Sequence, residues 1–298
     1  MNGLQISYFE ASARKRLSEL VDAGSLVEFC PPEMRQTSPH LAMLDAPLAF
    51  DDGVVTGRAS LSGHKVLIAA QEGRFNGGAV GEVHGAKIRG LLDRALSERP
   101  AAVLLLIDSG GVRLHEANAG LIAISEIMRA VLRVQAAGIP VFALVGGSCG
   151  AFGGMGIVTR LCTEVVMSEQ GRLGLSGPEV IETVKGVEEF DSRDRALVWR
   201  ITGGKLRRAL GEATLLVDDL IPAFRTAAAK LIERYRAHPP VPADLDELLG
   251  AQAELTERSV RFAAARDGRE IWQADFAEAS RVPEMTVAEF NALLGEAA

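Results

Sequence analysis

Residues 103–113 read VLLLIDSGGVR, and this stretch decides the fold. The apolar run Val103–Ile107 predicts a fully buried strand, and the two glycines that follow Asp108-Ser109 predict a tight turn. After the turn, His115–Ala137 has apolar residues at helical spacing and predicts a long helix. The segment is therefore expected to be a strand, a glycine turn and a helix in succession.

The same order occurs on both sides of this stretch. Upstream, the glycine-rich loop 73–81 precedes an amphipathic helix at 82–96. Downstream, the apolar strand 140–145 leads into a glycine-dense turn at 146–156. Apolar strands that alternate with helices predict an α/β fold whose sheet is covered on both faces. Glycine turns that open helices present bare N–H groups, and such groups bind anions.

The composition excludes several classes of function. The 298 residues include 32 Lys and Arg against 39 Asp and Glu, a net charge of -7 that argues against nucleic acid as the main partner. Hydrophobic residues make up 48% and charged residues 24%, a globular balance. The patterns GxxxxGK[ST] and an early GxGxxG are absent, so the glycine turns are not typical nucleotide loops.

The predicted location is the cytoplasm. Cys30, Cys149 and Cys162 form no CxxC pair, which argues against a zinc site built on cysteine pairs or a disulfide framework, and we expect no metal site. The first ten residues have no basic or apolar region typical of a secretory signal. Residues 134–159 lack charge, but they contain Pro140 and many glycines, which favours a strand and loop over a membrane helix.

The chain divides at a proline-rich linker, His238-Pro239-Pro240-Val241-Pro242. We expect one domain over 1–240 and a helical extension over 241–298, either a docking element or a C-terminal cap.

Residues 146–150, GGSCG, match the GxSxG pattern of serine hydrolases and follow a predicted strand. This hypothesis makes Ser148 a nucleophile and requires a later histidine, for which only His238 is available. No HGGG-type oxyanion segment precedes it, so we consider a serine hydrolase the weaker alternative.

Two histidines and one arginine lie next to the glycine turns. His84 and His115 each follow a turn, and a neutral imidazole there is able to donate a proton, although for either histidine taken singly a surface or capping role is the more common one. Arg113 lies where a helix dipole favours acidic residues, which points to an anionic ligand.

Ordered motifs between Ala13 and Arg236 resemble those of acyl-CoA carboxyltransferase β subunits. They are ARKRLSELVDAGSLVEF at 13–29, VTG at 55–57, GGAVGEVHGAKI at 77–88, DSGGVRLHE at 108–116, FGGMG at 152–156 and GLSGPEVIE at 174–182. The resemblance implies a crotonase-like ββα superhelix with a helical C-terminal extension. Within this group the chain looks most like the β subunit of biotin-independent malonate decarboxylases, since it lacks a four-cysteine zinc ribbon and is shorter than fused carboxyltransferases.

The resemblance implies decarboxylation of malonyl-S-acyl carrier protein through an enolate held in an oxyanion hole. One amide of the hole would come from Gly110, Gly111 or Val112, and another from Gly153 or Gly154. The implied substrate-binding residues are Gly77, Gly78, Arg113, Ser176 and Gly177, and the proton would come from water, His84 or His115.

The resemblance also implies the partners. These are a crotonase-like γ subunit that forms a heterodimer, an acyl carrier protein that holds the substrate on a CoA-like arm, and a transferase subunit that loads the carrier. No bound cofactor is expected. The alternative is a β subunit of a biotin-dependent acyl-CoA carboxyltransferase.

Overall fold

The computed structural model describes residues 6–295. The strands are β1 (Val27–Phe29), β2 (Val54–Leu61), β3 (His64–Gln71), β4 (Ala102–Ile107), β5 (Val141–Val145), β6 (Glu164–Ser168) and β7 (Leu215–Val217). The helices are α1 (Ala13–Leu20), α2 (Pro39–Met43), α3 (Glu82–Glu98), α4 (Ala119–Ala136), α5 (Gly153–Leu161), α6 (Pro178–Lys185), α7 (Arg195–Thr202), α8 (Gly204–Ala209), α9 (Ile221–Ala237), α10 (Leu245–Arg261), α11 (Gly268–Asp275) and α12 (Val287–Leu293).

The seven strands form one sheet in the order of the sequence, from β1 to β7. The pairs β1–β2 and β2–β3 are antiparallel, and every later pair is parallel. In the centre, Leu105 lies opposite Ala69 on one side and Ala143 on the other. Because β3, β4 and β5 are parallel neighbours, the glycine turns that follow them lie at one edge of the sheet.

Apolar side chains cover both faces of this sheet, as the sequence predicted. On one face, Leu105 and Val145 pack with residues of α3 and α4 in a single buried cluster. On the other face, Leu104 and Leu144 pack with residues of α1 and α9. Alternate residues of each strand point to opposite faces, so a strand buried on both faces is apolar throughout.

Two predicted elements differ in the structure. The long helix begins at Ala119 and not at His115, because a 3₁₀ turn over Leu114–Glu116 ends at Ala117, whose φ of 51° interrupts the helix. The sequence also predicts a short strand at 172–175, but these residues form only isolated bridges, from Leu173 to Ala151 and from Arg172 to Gly203.

The segment beyond residue 241 consists of two different parts. Helix α10 contains no buried residue, whereas Trp272, Val282 and Phe290 belong to the same core cluster as β4 and β5. The Lys205 ammonium, 5% exposed, donates to the carbonyls of Val282 and Met285 and fixes this part to the core. Residues 268–295 therefore act as a cap; the division of the chain at residue 240 stays a prediction.

None of the helices within residues 6–295 is long and apolar enough to span a lipid bilayer.

Candidate functional site

The three glycine turns after β3, β4 and β5 are joined by backbone hydrogen bonds. Gly110 N–H donates to the Gly77 carbonyl at 2.8 Å, and Val80 N–H donates to the Gly111 carbonyl at 2.9 Å. Ser109 N–H donates to the Gly150 carbonyl at 2.7 Å. The turns therefore form one continuous surface and are not independent loops.

Close backbone approach requires glycine at two of the predicted substrate-binding positions. Gly77 and Gly78 have φ of 62° and 67°, in the left-handed region that favours glycine. A Cβ on Gly78 would also overlap the carbonyl oxygen of Asp108. These glycines thus allow the first turn to lie against the second.

The hydrogen bonds of the turns narrow the set of candidate oxyanion donors. The amides of Gly110 and Gly153 donate to the carbonyls of Gly77 and Leu175, and that of Gly111 donates weakly to Ser109 Oγ at 3.3 Å. Within the described residues, the Val112 amide has no acceptor, and neither do the amides of Gly154 and its successor in the first turn of α5. Val112 and Gly154 therefore have N–H groups available to a ligand.

The second and third turns are in direct contact at Gly111 and Gly153. A Cβ built on Gly153 would lie 3.2 Å from Gly111 Cα. Gly154 adjoins this contact and is the second residue of α5, where the helix dipole favours negative charge. Val112 and Gly154 each follow one of the two glycines in contact, so both N–H groups without an acceptor adjoin the same contact.

His84 lies in the core. It is fully buried, its Nδ1 is 3.0 Å from the Asp52 carbonyl and its Nε2 is 3.0 Å from Gln71 Nε2. Burial and the positive charge of Arg113 hold the pKa of His84 well below its ordinary value, so the imidazole is neutral. With both ring nitrogens engaged, His84 has a structural role here and not the proton-donor role considered from the sequence.

Arg113 is also internal, in contrast to the expectation that it meets an anionic substrate. Its side chain is 0% exposed, and it donates to Asp52 Oδ1 at 2.7 Å and to Glu116 Oε1 at 3.0 Å. Burial raises the pKa of Asp52, although Arg113 opposes the shift. Burial also acts to raise the pKa of Glu116, but the Glu82 amide and Arg113 outweigh it and lower that pKa. Arg113 neutralises these buried carboxylates and fixes the second turn.

The remaining candidate site residues are exposed or partly exposed next to the turns. His115 is exposed in the 3₁₀ turn that follows Val112. Ser176 is exposed and Gly177 precedes α6, two residues after Leu175, whose carbonyl accepts the Gly153 N–H. Leu114 and Leu175 are 84% and 70% exposed, so apolar side chains border the turns.

Ser148 lacks the partners of a hydrolase nucleophile. Its carbonyl accepts a hydrogen bond from Arg172. No hydrogen bond within residues 6–295 joins Ser148 to a histidine, and His238 is exposed at the end of α9. The GxSxG pattern is here part of a glycine turn without a catalytic triad.

Sequence reasoning assigned no role to Asp108 or Arg16. Their side chains form an ion pair of 2.8 Å with 2% of each exposed, directly under the turns. Asp108 was visible in the motif that follows β4, but its partner precedes it by 92 residues. The pair could have been predicted only if Arg16 were known to be buried. Burial of a single arginine cannot be read from the sequence.

Comparison with known proteins shows similarity over almost the whole chain. Residues 10–200 match the sequence family described as the carboxyl transferase domain. The malonyl-S-ACP:biotin-protein carboxyltransferase MADC of Malonomonas rubra is 37% identical, over 96% of this chain and 95% of that protein.

Two solved structures are similar as well. A Pseudomonas malonate decarboxylase hetero-tetramer in complex with malonate contains a chain that is 37% identical, with a TM-score of 0.76 over 97% of this chain and 98% of that one. A Pseudomonas malonate decarboxylase hetero-dimer contains one that is 35% identical, with a TM-score of 0.68 over 86% of this chain and 99% of that one. The crotonase-like fold predicted from the sequence motifs is thereby confirmed.

Proposed function

The chain belongs to the carboxyl transferase family, and on that premise we propose that it is the thioester-binding β subunit of a malonate decarboxylase. Its reaction would release CO₂ from malonyl-S-acyl carrier protein and leave acetyl-S-acyl carrier protein. The observation that carries the proposal is the pair of free amides, Val112 and Gly154, in a chain similar end to end to malonate decarboxylase subunits.

The free amides suit the charge that this reaction develops. When the bond between the carboxylate and the α-carbon breaks, its electron pair forms an enolate and negative charge builds on the thioester oxygen. Donors aimed at that oxygen stabilise the transition state, and each is worth about 3–4 kcal/mol. We assign this role to the N–H groups of Val112 and Gly154.

The enolate then needs one proton at the α-carbon to become an acetyl group. Of the two candidate histidines, only His115 is exposed, and it lies three residues after Val112. We therefore propose His115 as the proton donor. Gly77, Gly78, Ser176 and Gly177 would line the path of the substrate, since they adjoin the same turns.

A second subunit would cover the open side of the site. Besides Leu114 and Leu175, Leu121 and Ile122 of α4 and Val184 of α6 are more than half exposed. An apolar border of this kind marks a protein interface, and one related solved structure is a hetero-dimer. We propose a crotonase-like γ subunit as the partner here, with an acyl carrier protein and its transferase as further subunits in the cytoplasm.

Carboxyl transfer to a biotin protein is the second candidate function. It is favoured by the Malonomonas rubra relative, which is named for that reaction and is similar over 95% of its length. Both reactions break the same carbon–carbon bond and need the same oxyanion hole. They differ in whether CO₂ leaves or is captured by biotin.

The two candidates separate in one experiment. The chain is purified with its co-eluting subunits, supplied with malonyl-S-acyl carrier protein labelled in the free carboxyl group, and assayed with and without avidin. Release of labelled CO₂ that avidin does not inhibit supports the decarboxylase. Loss of release with avidin, or retention of the label on a biotin protein, supports carboxyl transfer. If the complex neither releases labelled CO₂ nor transfers the label to a biotin protein, the proposed function is wrong.

A further inference from the structure

The Asp108 carboxylate lies beneath the junction of two glycine turns. It is 1% exposed, and its Oδ1 accepts the Cys149 N–H at 2.6 Å while its Oδ2 accepts from Arg16 Nη1 at 2.8 Å. One carboxylate at the head of the second turn therefore binds the backbone of the third. A charge-assisted hydrogen bond of this kind is stronger than a neutral one.

Glycines leave the carboxylate no room to move. A Cβ on Gly73 would lie 2.7 Å from Asp108 Oδ2, and a Cβ on Gly147 would overlap the carboxylate carbon. The group is thus enclosed between the backbones of the first and third turns. Its own N–H donates to Gln71 Oε1 at 3.3 Å, which adds a contact to β3.

Asp108 stands close in sequence to the proposed donor of the second turn. It is four positions before Val112, and the residue that it binds, Cys149, is five positions before Gly154. Between these points, Ser109 donates to the Gly150 carbonyl and accepts from Phe152 N–H at 2.9 Å. The carboxylate and the Ser109 backbone together determine how far apart the two turns lie.

We infer that Asp108 is a positioning residue for the oxyanion hole, with Arg16 as its counterion. The carboxylate holds the third turn so that the amides of Val112 and Gly154 converge on one oxygen. This inference rests on the proposed function, because it concerns the same two donors. Arg16 also donates to the carbonyls of Tyr8 and Phe9, so the N-terminal segment braces the site.

Variants at position 108 test the inference in the assembled complex. Asp108→Ala removes the acceptor of the Cys149 N–H, and we expect kcat to fall by about a hundredfold with KM changed less than about threefold, since misplaced donors act on the transition state. Asp108→Asn keeps an acceptor oxygen in the same place, so its kcat should be at least about tenfold higher than that of Asp108→Ala. A purely structural role would not produce this split and rescue.

Arg16→Met provides a second, charge-based measurement. Alone it leaves a buried carboxylate without a counterion, whereas Arg16→Met/Asp108→Asn removes both charges. We expect the double variant to turn over at least as fast as Asp108→Asn and faster than Arg16→Met. The control is Asp267→Asn, which removes the partner of Arg200 away from the turns and should leave kcat unchanged.

Amide hydrogen exchange gives a readout that does not depend on the reaction. Asp108→Ala should accelerate exchange in the peptides that contain 109–112 and 146–154, Asp108→Asn should do so less because it keeps an acceptor for the Cys149 N–H, and Asp267→Asn should not. If the wild-type complex fails to decarboxylate, the proposed function fails while exchange still decides whether Asp108 orders the turns. Folded Asp108→Ala with wild-type kcat, or with wild-type exchange in both peptides, overturns the inference.

Discussion

Gly111 Cα lies 3.2 Å from the place that a Cβ on Gly153 would occupy, so the second and third glycine turns touch through bare backbone. Both residues have positive φ, 143° and 57°. A side chain at either position would separate the turns or strain the chain. Val112 and Gly154, whose amides have no acceptor within the described residues, each directly follow one of these two glycines.

The first prediction concerns Gly111. A Cβ there meets no neighbour within 4 Å, so space is available, but φ of 143° is disfavoured for any L side chain. In Gly111→Ala the peptide should reorient and move the Val112 amide, lowering kcat by about a hundredfold, as loss of one oxyanion donor does. Gly63→Ala, also at positive φ in the β2–β3 turn, should lose stability only. Equal kcat in the two variants would count against Val112 as a donor.

The second prediction concerns the start of α5. A Cβ on Gly154 would lie 2.6 Å from Ile124 Cγ1 of α4, so Gly154→Ala should push the helix away and lower kcat by about a hundredfold. Ile124→Ala removes the obstructing atoms, and Gly154→Ala/Ile124→Ala should recover most of the lost rate. Steady-state kinetics on the purified complex would measure both. Persistent loss in the folded double variant would mean that the clash does not explain the effect.

The third prediction tests the proton donor. If His115 protonates the enolate, His115→Asn should lower kcat by about a hundredfold, a common contribution of a general acid. His238→Asn is the matched control, because this histidine is exposed at the end of α9. Measurement of acetyl-S-acyl carrier protein formation by mass spectrometry follows the protonated product. An unchanged rate in His115→Asn would leave water as the donor.

The fourth prediction is an acid-dependent loss of stability due to His84. In the unfolded chain its imidazole takes up a proton near pH 6.5, whereas in the folded protein burial and Arg113 keep its pKa well below that value. The unfolded state therefore binds more protons as the pH falls below about 6.5, and the free energy of unfolding decreases by up to about 1.4 kcal/mol per pH unit.

Denaturant unfolding at several pH values would test this. His84→Gln should remove the one-proton contribution and flatten the acid side of the stability profile, while His238→Gln should leave the slope as in the wild type. Parallel profiles for the wild type and His84→Gln would show that His84 is already protonated or does not resist protonation.

The fifth prediction concerns the C-terminal cap. The Lys205 ammonium lies 3.0 Å from the Val282 carbonyl, 2.6 Å from the Met285 carbonyl and 2.9 Å from Glu169 Oε1. Lys205→Met should lower the free energy of unfolding by about 3 kcal/mol because buried acceptors lose a charged donor, with kcat retained. Leu248→Ala on the exposed helix α10 should change it by less than about 0.5 kcal/mol. A stable Lys205→Met protein would mean that apolar packing alone holds the cap.

Much of the fold was readable from the sequence because its causes are local. The apolar runs of β4 and β5 predict buried strands wherever they occur, and the glycines after them predict turns that other residues cannot make. The motifs at 108–116 and 152–156 therefore located two of the turns that form the site. The predicted start of α4 was wrong because the positive φ of Ala117 has no clear sequence signal.

The sequence by itself thus determined the central strands β4 and β5, the glycine turns that follow them and the family, because these depend on short runs of neighbouring residues. Only the tertiary structure decided which side chains face the site. His84 and Arg113 follow glycine turns as a catalytic residue would, yet Asp52, from another part of the chain, holds both in the core. Likewise, the environment of the buried Asp108 carboxylate is set by its ion pair with Arg16, which lies far away in sequence. The burial and charge of a side chain are set by residues that are distant in sequence and meet only when the sheet assembles.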